Sequence, residues 1–303
     1  MRVAIAGSGS VVRYFAEELP AAGIDIVILT RSIKPHFEGL PGVRQFVTDY
    51  SVPSILEGIE GSSTLISAIL DYAPTFIDTH RRLIEAAIKS TSCKRFIPAE
   101  YGGNLEEFPD QPAFYSRLQG VIRKELAEQN KLEWTLLSTG WFADYIVPSR
   151  NRMLPFAGEG IPIDIEGKTV TIPGTGNEPL DVTPVRDMAR AVAKLLHAPE
   201  WERHTYISGE KTTWNTLAAL LREKYPQMKV EHHSLNQLIE DIVANPEGEK
   251  RIIAEYGIFS ASHAGSLPAE KVAAHREKYF SGIKFRTSRD LLEEAERDPK
   301  VIV

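Results

Sequence analysis

Cysteine is nearly absent from this chain: Cys93 is the only one in 303 residues. A single thiol closes no disulfide framework and builds no cysteine cluster for a metal, and it fits a reducing compartment. No apolar run is long enough to span a bilayer, and Met1 leads straight into Val3-Ala4-Ile5-Ala6 without a charged segment and apolar core of signal type. The expectation is a cytoplasmic chain with no membrane partner. Basic runs are missing too. With 35 Lys plus Arg against 41 Asp plus Glu, nothing here can track a phosphate backbone, so no nucleic-acid partner is expected. Repeats and low-complexity tracts are likewise lacking. The length suits one large α/β domain, or a domain plus a smaller lobe, around one cleft for a small-molecule substrate, as a monomer or homodimer.

What is present is alternation. Short apolar runs at 3–6, 25–29, 44–47, 64–67, 95–98 and 135–138 read as buried strands. Helical patterns at 14–19, 52–58, 74–89 and 115–129 lie among them. This is the pattern of βαβ units feeding a parallel, doubly wound sheet of Rossmann type, with its binding crevice at the carboxyl ends of the strands. After Pro148 the pattern changes. The turn clusters Gly158-Glu159-Gly160 and Pro173-Gly174-Thr175-Gly176 flank a short strand at 169–172, an expected hairpin insertion. The stretch 182–185, a helix capped by Asp187, and 205–207 are expected to return to the main sheet. Helices at 214–225, 235–244, 269–280 and 291–297 complete a lobe. The expected division is a nucleotide-binding domain over 1–152, rejoined by 181–210, with a smaller, mostly helical substrate lobe from 153–180 and 211–303.

Gly7-Ser8-Gly9-Ser10-Val11-Val12-Arg13 follows the first strand and opens a helix, the setting in which backbone N–H groups and the helix dipole hold a pyrophosphate. Position carries this signal, because Val12 stands where G-x-G-x-x-G has its third glycine. Ser10 is small enough for close phosphate approach, and the Arg13 guanidinium can contact phosphate. The alternative is a tight turn with no ligand. The second strand ends Thr30-Arg31-Ser32, with Lys34 behind it. An acid here would accept from a ribose 2′-hydroxyl, whereas Arg31 suits a 2′-phosphate, so the expected cofactor is NADPH. Ser67, ending the fourth strand, is expected to line the same crevice. A solvated Arg31 is the plainer alternative. His36 and the His232-His233 pair read as surface or capping histidines, without a partner at metal-ligand spacing, and no metal is expected.

Several motifs together resemble the isoflavone reductase-like and NmrA-like family, within the atypical short-chain dehydrogenase/reductases, over roughly the first 210 residues. Arg95-Phe96-Ile97-Pro98-Ala99-Glu100-Tyr101-Gly102 is similar to that family's RFIPSEFG segment. Gly42-Val43 through Asp49-Tyr50, then Trp134-Thr135-Leu136 with Gly140, Phe142 and Tyr145, and Pro184 to Ala189 also resemble family segments in order. The resemblance implies a catalytic lysine in a K-x-x-V-R pattern, but the matching stretch here is Gln119-Gly120-Val121-Ile122-Arg123. Gln119 can hydrogen-bond but carries no charge and no acidic proton. Lys124 falls about 140° away around a helix and does not replace it.

The expected catalytic pair is therefore Gln119 with Tyr115, one helical turn earlier on the same face. Tyr101, Asp144 and Tyr145 are further candidates. Trp141 and Phe142, just past the sixth strand, are expected with Tyr101 and Tyr145 to line the substrate side. Three functions stay open: an NADPH-dependent reductase of an aromatic or polyketide-like metabolite, a non-catalytic NADP(H) sensor of NmrA type, and a non-redox isomerase, cyclase or dehydratase on the same scaffold.

Overall fold

The computed structural model describes every residue except Ala157. Its organising element is a parallel sheet of β1 (Arg2–Ala6), β2 (Asp25–Thr30), β3 (Val43–Val47), β4 (Thr64–Ser67), β5 (Arg95–Ile97) and β6 (Glu133–Trp134). The strands run in the order β3-β2-β1-β4-β5-β6, all neighbours parallel. Both faces of the inner strands β1, β2 and β4 are covered, which is why these read as apolar runs rather than alternating, while the edge strand β3 carries Arg44 and Gln45. On β1, Val3 and Ile5 enter one core with α1 (Ser10–Ala21), while Ala4 and Ala6 enter the other. That second core is built with α2 (Val52–Gly58) and α3 (Thr75–Lys89). Each fully buried Val, Ile or Leu contributes about 1.5–3 kcal/mol, so the sheet is the fixed frame of the molecule. Strand order reverses between β1 and β4, and a crevice opens at their carboxyl ends.

The helical stretch expected at 115–129 is broken. It forms α4 (Phe114–Arg117) and α5 (Gln119–Glu128), parted at Leu118 with φ −118° and ψ −75°. Gly120 is the weak point of this stretch, since glycine is a poor helix former. The sixth strand is divided as well. Past Thr135 the chain runs on as β7 (Leu136–Ser138), which pairs not with β5 but with a later strand.

Beyond Ser138 come β8 (Trp141–Phe142), β9 (Ile163–Asp164), β10 (Thr169–Pro173) and β11 (Leu180–Thr183). They are followed by α6 (Val185–Leu196), β12 (His204–Tyr206), β13 (Glu210–Thr212), α7 (Trp214–Lys224) and β14 (Lys229–His233). The chain ends in α8 (Leu235–Ala244), α9 (Glu249–Ala261), α10 (Ala269–Lys278) and α11 (Ser288–Arg297). The expected hairpin is the antiparallel β9–β10 pair, and β14 adds to it in parallel. β12 pairs in parallel with β7, and the two form a separate two-stranded sheet, so 205–207 does not join the six-stranded sheet. The stretch 182–185 does not return there: β11 sits between β8 and β13 in a separate three-stranded sheet. Nor does Asp187 cap its helix. The first free N–H of α6, on Val185, donates to Asp144 Oδ2 at 2.8 Å, and Asp187 is buried against Arg286 at 2.8 Å. Among the described residues no helix is long and apolar enough to cross a membrane.

Candidate functional site

The turn after β1 has the backbone a phosphate cradle needs. Gly7 adopts φ +108°, and a Cβ there would lie 3.0 Å from the Ala68 carbonyl oxygen, so only glycine fits between β1 and the chain leaving β4. Gly9 is the N-cap of α1, offers no side-chain cap, and has open space where a Cβ would stand. The first-turn N–H groups of Ser10 and Val11 are left for solvent or an anion, at the positive end of the helix. Val12 is buried beneath them.

The end of β2 supplies charge of the matching sign. Arg31 is exposed, with its guanidinium 5.8 Å from the Tyr50 ring centre. Lys34 is pinned through its backbone by Gln45, whose side chain accepts from Lys34 N at 2.8 Å and donates to Lys34 O at 3.0 Å. The Lys34 ammonium donates to Ser32 Oγ at 3.1 Å. The His36 pKa is lowered by partial burial and by the positive charges of Arg13 and Lys34. The lowered pKa keeps His36 from adding charge, so the positive charge here comes from Arg13, Lys34 and, beside Tyr50, Arg31.

Ser67 closes β4 from within. Its hydroxyl lies 3.0 Å from His80 Nε2, its carbonyl accepts from the Tyr101 hydroxyl at 2.7 Å, and His80 Nδ1 sits 2.9 Å from the Phe76 carbonyl. A carbonyl only accepts, so Nδ1 carries the His80 proton and Nε2 accepts from Ser67. Burial lowers the His80 pKa to about 4 and keeps the ring neutral. Tyr101 is therefore committed to Ser67 through its hydroxyl, and it presents its ring rather than an acid to the crevice.

On the substrate side, Tyr101, Phe142 and Tyr145 pack with Val11 and Ala68 against the core beside α1. Trp141 takes the opposite face of β8 and is buried among Trp214, Tyr256 and Phe259, with ring centres 5.6 to 5.9 Å away. The four expected aromatics therefore divide three to one. Trp141 and Tyr256 also wall a cavity of about 440 Å³ in the lobe, with Phe156, Asp164, His233 and Lys250 on its other sides. The Tyr256 hydroxyl lies 3.0 Å from that of Tyr72, and both rings meet Phe114, so an aromatic row links this cavity to Tyr115. Burial pushes the Tyr145 hydroxyl up to about 12.

Tyr115 and Gln119 are both buried, but the break at Leu118 removes the stacking expected of a single helix. The Tyr115 side chain lies against Gly102, where a Cβ would come within 2.8 Å of its hydroxyl. Gln119 Oε1 is buried without a hydrogen-bond partner. Beside them Glu100 pairs with Arg123 at 2.8 Å, and Arg123 lies 6.0 Å from the Tyr115 ring. Burial raises the Glu100 pKa to about 7, partly offset by Arg123. Lys124 is exposed. Asp144, besides capping α6, has its pKa raised to about 6 by burial, and its other oxygen has no partner. Of the two histidines before α8, His233 pairs with Asp241 at 3.0 Å, and His232 Nδ1 lies 3.3 Å from the Gly174 carbonyl.

Sequence reasoning passed over Tyr50, His80, Glu100 and Tyr256. For Glu100 and Tyr50 a signal existed, their places in the RFIPSEFG-like segment and in the family-like stretch ending Asp49-Tyr50.

A match to the NmrA-like family covers residues 2–283. The oxidoreductase swnR of Arthroderma benhamiae and that of Metarhizium robertsii are each 44% identical over 306 residues, spanning all of both chains. In fold, the chain is similar to the binary complex of leucoanthocyanidin reductase and NADPH from Vitis vinifera, with TM-score 0.75 over 97% of this chain and 99% of that one. At 17% identity that likeness is one of architecture.

Proposed function

The chain belongs to the NmrA-like family, and from that premise we propose that it is an NADPH-dependent reductase of a small aromatic or polyketide-like metabolite. One observation carries the reading: three cationic side chains, Arg13, Arg31 and Lys34, lie near the end of β2, beside an uncapped glycine turn, where an NAD-selecting crevice would carry an acid. The cradle fits the group. Gly7 sets the bend of the turn and Gly9 leaves open space for a pyrophosphate, Ser10 and Val11 offer N–H donors, and Arg31 with Lys34 meets a 2′-phosphate. The oxidoreductases spanning the same full length support redox chemistry, and the leucoanthocyanidin reductase complex supports the choice of nucleotide.

Bound there, the nucleotide supplies a hydride. The chain binds and orients both reactants and supplies the balancing proton. Phe142, Tyr145 and Tyr101 form the apolar wall against which a planar substrate lies, and the lobe from 153–180 and 211–303 shuts out water. Tyr115 keeps its proton and gives it to the oxygen that gains charge, while Gln119 hydrogen-bonds the same region. A second reading rests on Gln119 itself. An uncharged residue at the family's lysine position suits a nucleotide sensor that binds without turnover.

Calorimetric titration with NADPH and NADH tests the nucleotide assignment. The wild type should prefer NADPH, and Arg31→Ala should lower NADPH affinity about ten- to a hundredfold while leaving NADH nearly unchanged. Equal losses for both, or a wild-type preference for NADH, contradict it. NADPH binding with no substrate-dependent oxidation across a metabolite panel selects the sensor.

A further inference from the structure

Among the described residues, two non-glycine residues adopt positive φ, Lys168 and Tyr50. Lys168 is exposed and sits in the turn between β9 and β10, a common place for such a conformation. Tyr50 is different. It is 6% exposed, and it holds φ +59° between β3 and α2. A buried aromatic residue pays strain for that conformation, and such strain persists only where surrounding contacts over-determine it.

The contacts are in place. Tyr50 N–H donates to Thr48 Oγ1 at 3.0 Å, Ser54 Oγ donates to the same oxygen at 2.8 Å, and Ser51 N–H donates to Asp49 Oδ1 at 2.8 Å. The conformation sends the side chain back across the ends of β1 and β2. There its hydroxyl donates to the Leu29 carbonyl at 2.7 Å and accepts from Gly7 N–H at 3.1 Å. Gly7 N–H also reaches the Leu29 carbonyl at 3.0 Å, closing a three-membered triangle. The ring then lies beneath the Arg31 guanidinium, 5.8 Å from centre to cation. Burial raises the Tyr50 pKa against the opposing pull of Gly7 N–H and Arg31, so the hydroxyl stays neutral and able both to donate and to accept.

We propose that Tyr50 is a positioning residue for the nucleotide, its hydroxyl fixing the glycine turn from behind and its ring supporting Arg31 at the 2′-phosphate corner. The two halves of the side chain act on two halves of the ligand. The hydroxyl sets the pyrophosphate cradle, which NADPH and NADH share. The ring sets discrimination between them. This inference rests on the nucleotide reading above and adds the residue that couples its two parts.

Titration of wild type, Tyr50→Phe and Tyr50→Leu with NADPH, NADH and adenosine 2′,5′-bisphosphate separates the roles. Tyr50→Phe keeps the ring and should weaken NADPH and NADH alike by about five- to tenfold, leaving their ratio unchanged. Tyr50→Leu should add a roughly three- to fivefold fall in the NADPH-to-NADH ratio and a matching loss for the bisphosphate. A residue that only stabilised the fold would not move that ratio. An unchanged ratio in folded Tyr50→Leu, or unchanged affinities in Tyr50→Phe, overturns the role of Tyr50 while leaving the nucleotide reading intact. Wild-type protein that binds none of the three probes overturns both.

Discussion

The Tyr115 hydroxyl keeps its proton because burial opposes ionisation, with the Glu100 carboxylate and Tyr72 adding to that and only Arg123 opposing it. Such a phenol is protonated at working pH and so available as a donor, though it is a weaker acid than a free tyrosine. Tyr115→Phe should accordingly lower kcat by roughly a hundredfold with KM nearly unchanged, and Gln119→Lys should be neutral or mildly helpful. Turnover that survives Tyr115→Phe removes Tyr115 from the chemistry. At this scale the residues legible in the sequence were those whose signal is local. Gly7 and Gly9 announce themselves by position after a strand, since a tight turn there restricts the residue type. The role of Tyr50 does not, because its partner Gly7 lies 43 positions away and nothing near Tyr50 reports that contact.

Between α3 and β4 the His80–Ser67 link joins two elements, and it gives the fold a pH dependence of definite sign. His80 is neutral in the native state with a pKa near 4, against an ordinary value of 6.5. Between those values the unfolded chain binds the extra proton, so native stability is full above about pH 6.5 and drains away as pH falls toward 4. The loss amounts to about 3 kcal/mol. Denaturant melts of wild type and His80→Gln at pH 7 and pH 4 should show the variant losing that much less over the interval; parallel losses would show that His80 titrates normally.

The inner strands β1, β2 and β4 were legible for a simple reason, being almost wholly buried and apolar. α9 was not. It buries Glu255 against Arg117 at 2.8 Å and Arg251 at 2.8 Å, alongside Ala254, Gly257 and Ser260, so its sequence shows no clean apolar stripe. The break at Leu118 was hidden likewise, because the pattern across residues 114–128 stays helical on both sides of it.

Across the whole molecule, the parts far apart in sequence are tied by buried polar contacts. Asp187 on α6 receives three hydrogen bonds from the Arg286 side chain and one from its backbone, and Arg286 also reaches Glu294 on α11. Asn104 N–H donates to the Ala264 carbonyl at 2.8 Å, and Val303 N–H donates to the Asn151 carbonyl at 3.0 Å. These ties hold the chain's last segments against earlier parts of the molecule. The proposed function turns on whether the crevice beside β1 holds a dinucleotide. The direct measurement is calorimetric titration of NADPH into wild type and Ser10→Asp, with thermal melts to show that both are folded. A carboxylate at the N-terminus of α1 should favour the helix yet repel the pyrophosphate. Saturable wild-type binding that disappears in a folded Ser10→Asp is the predicted result, and Ser10→Asp protein that binds NADPH as tightly as wild type would contradict it.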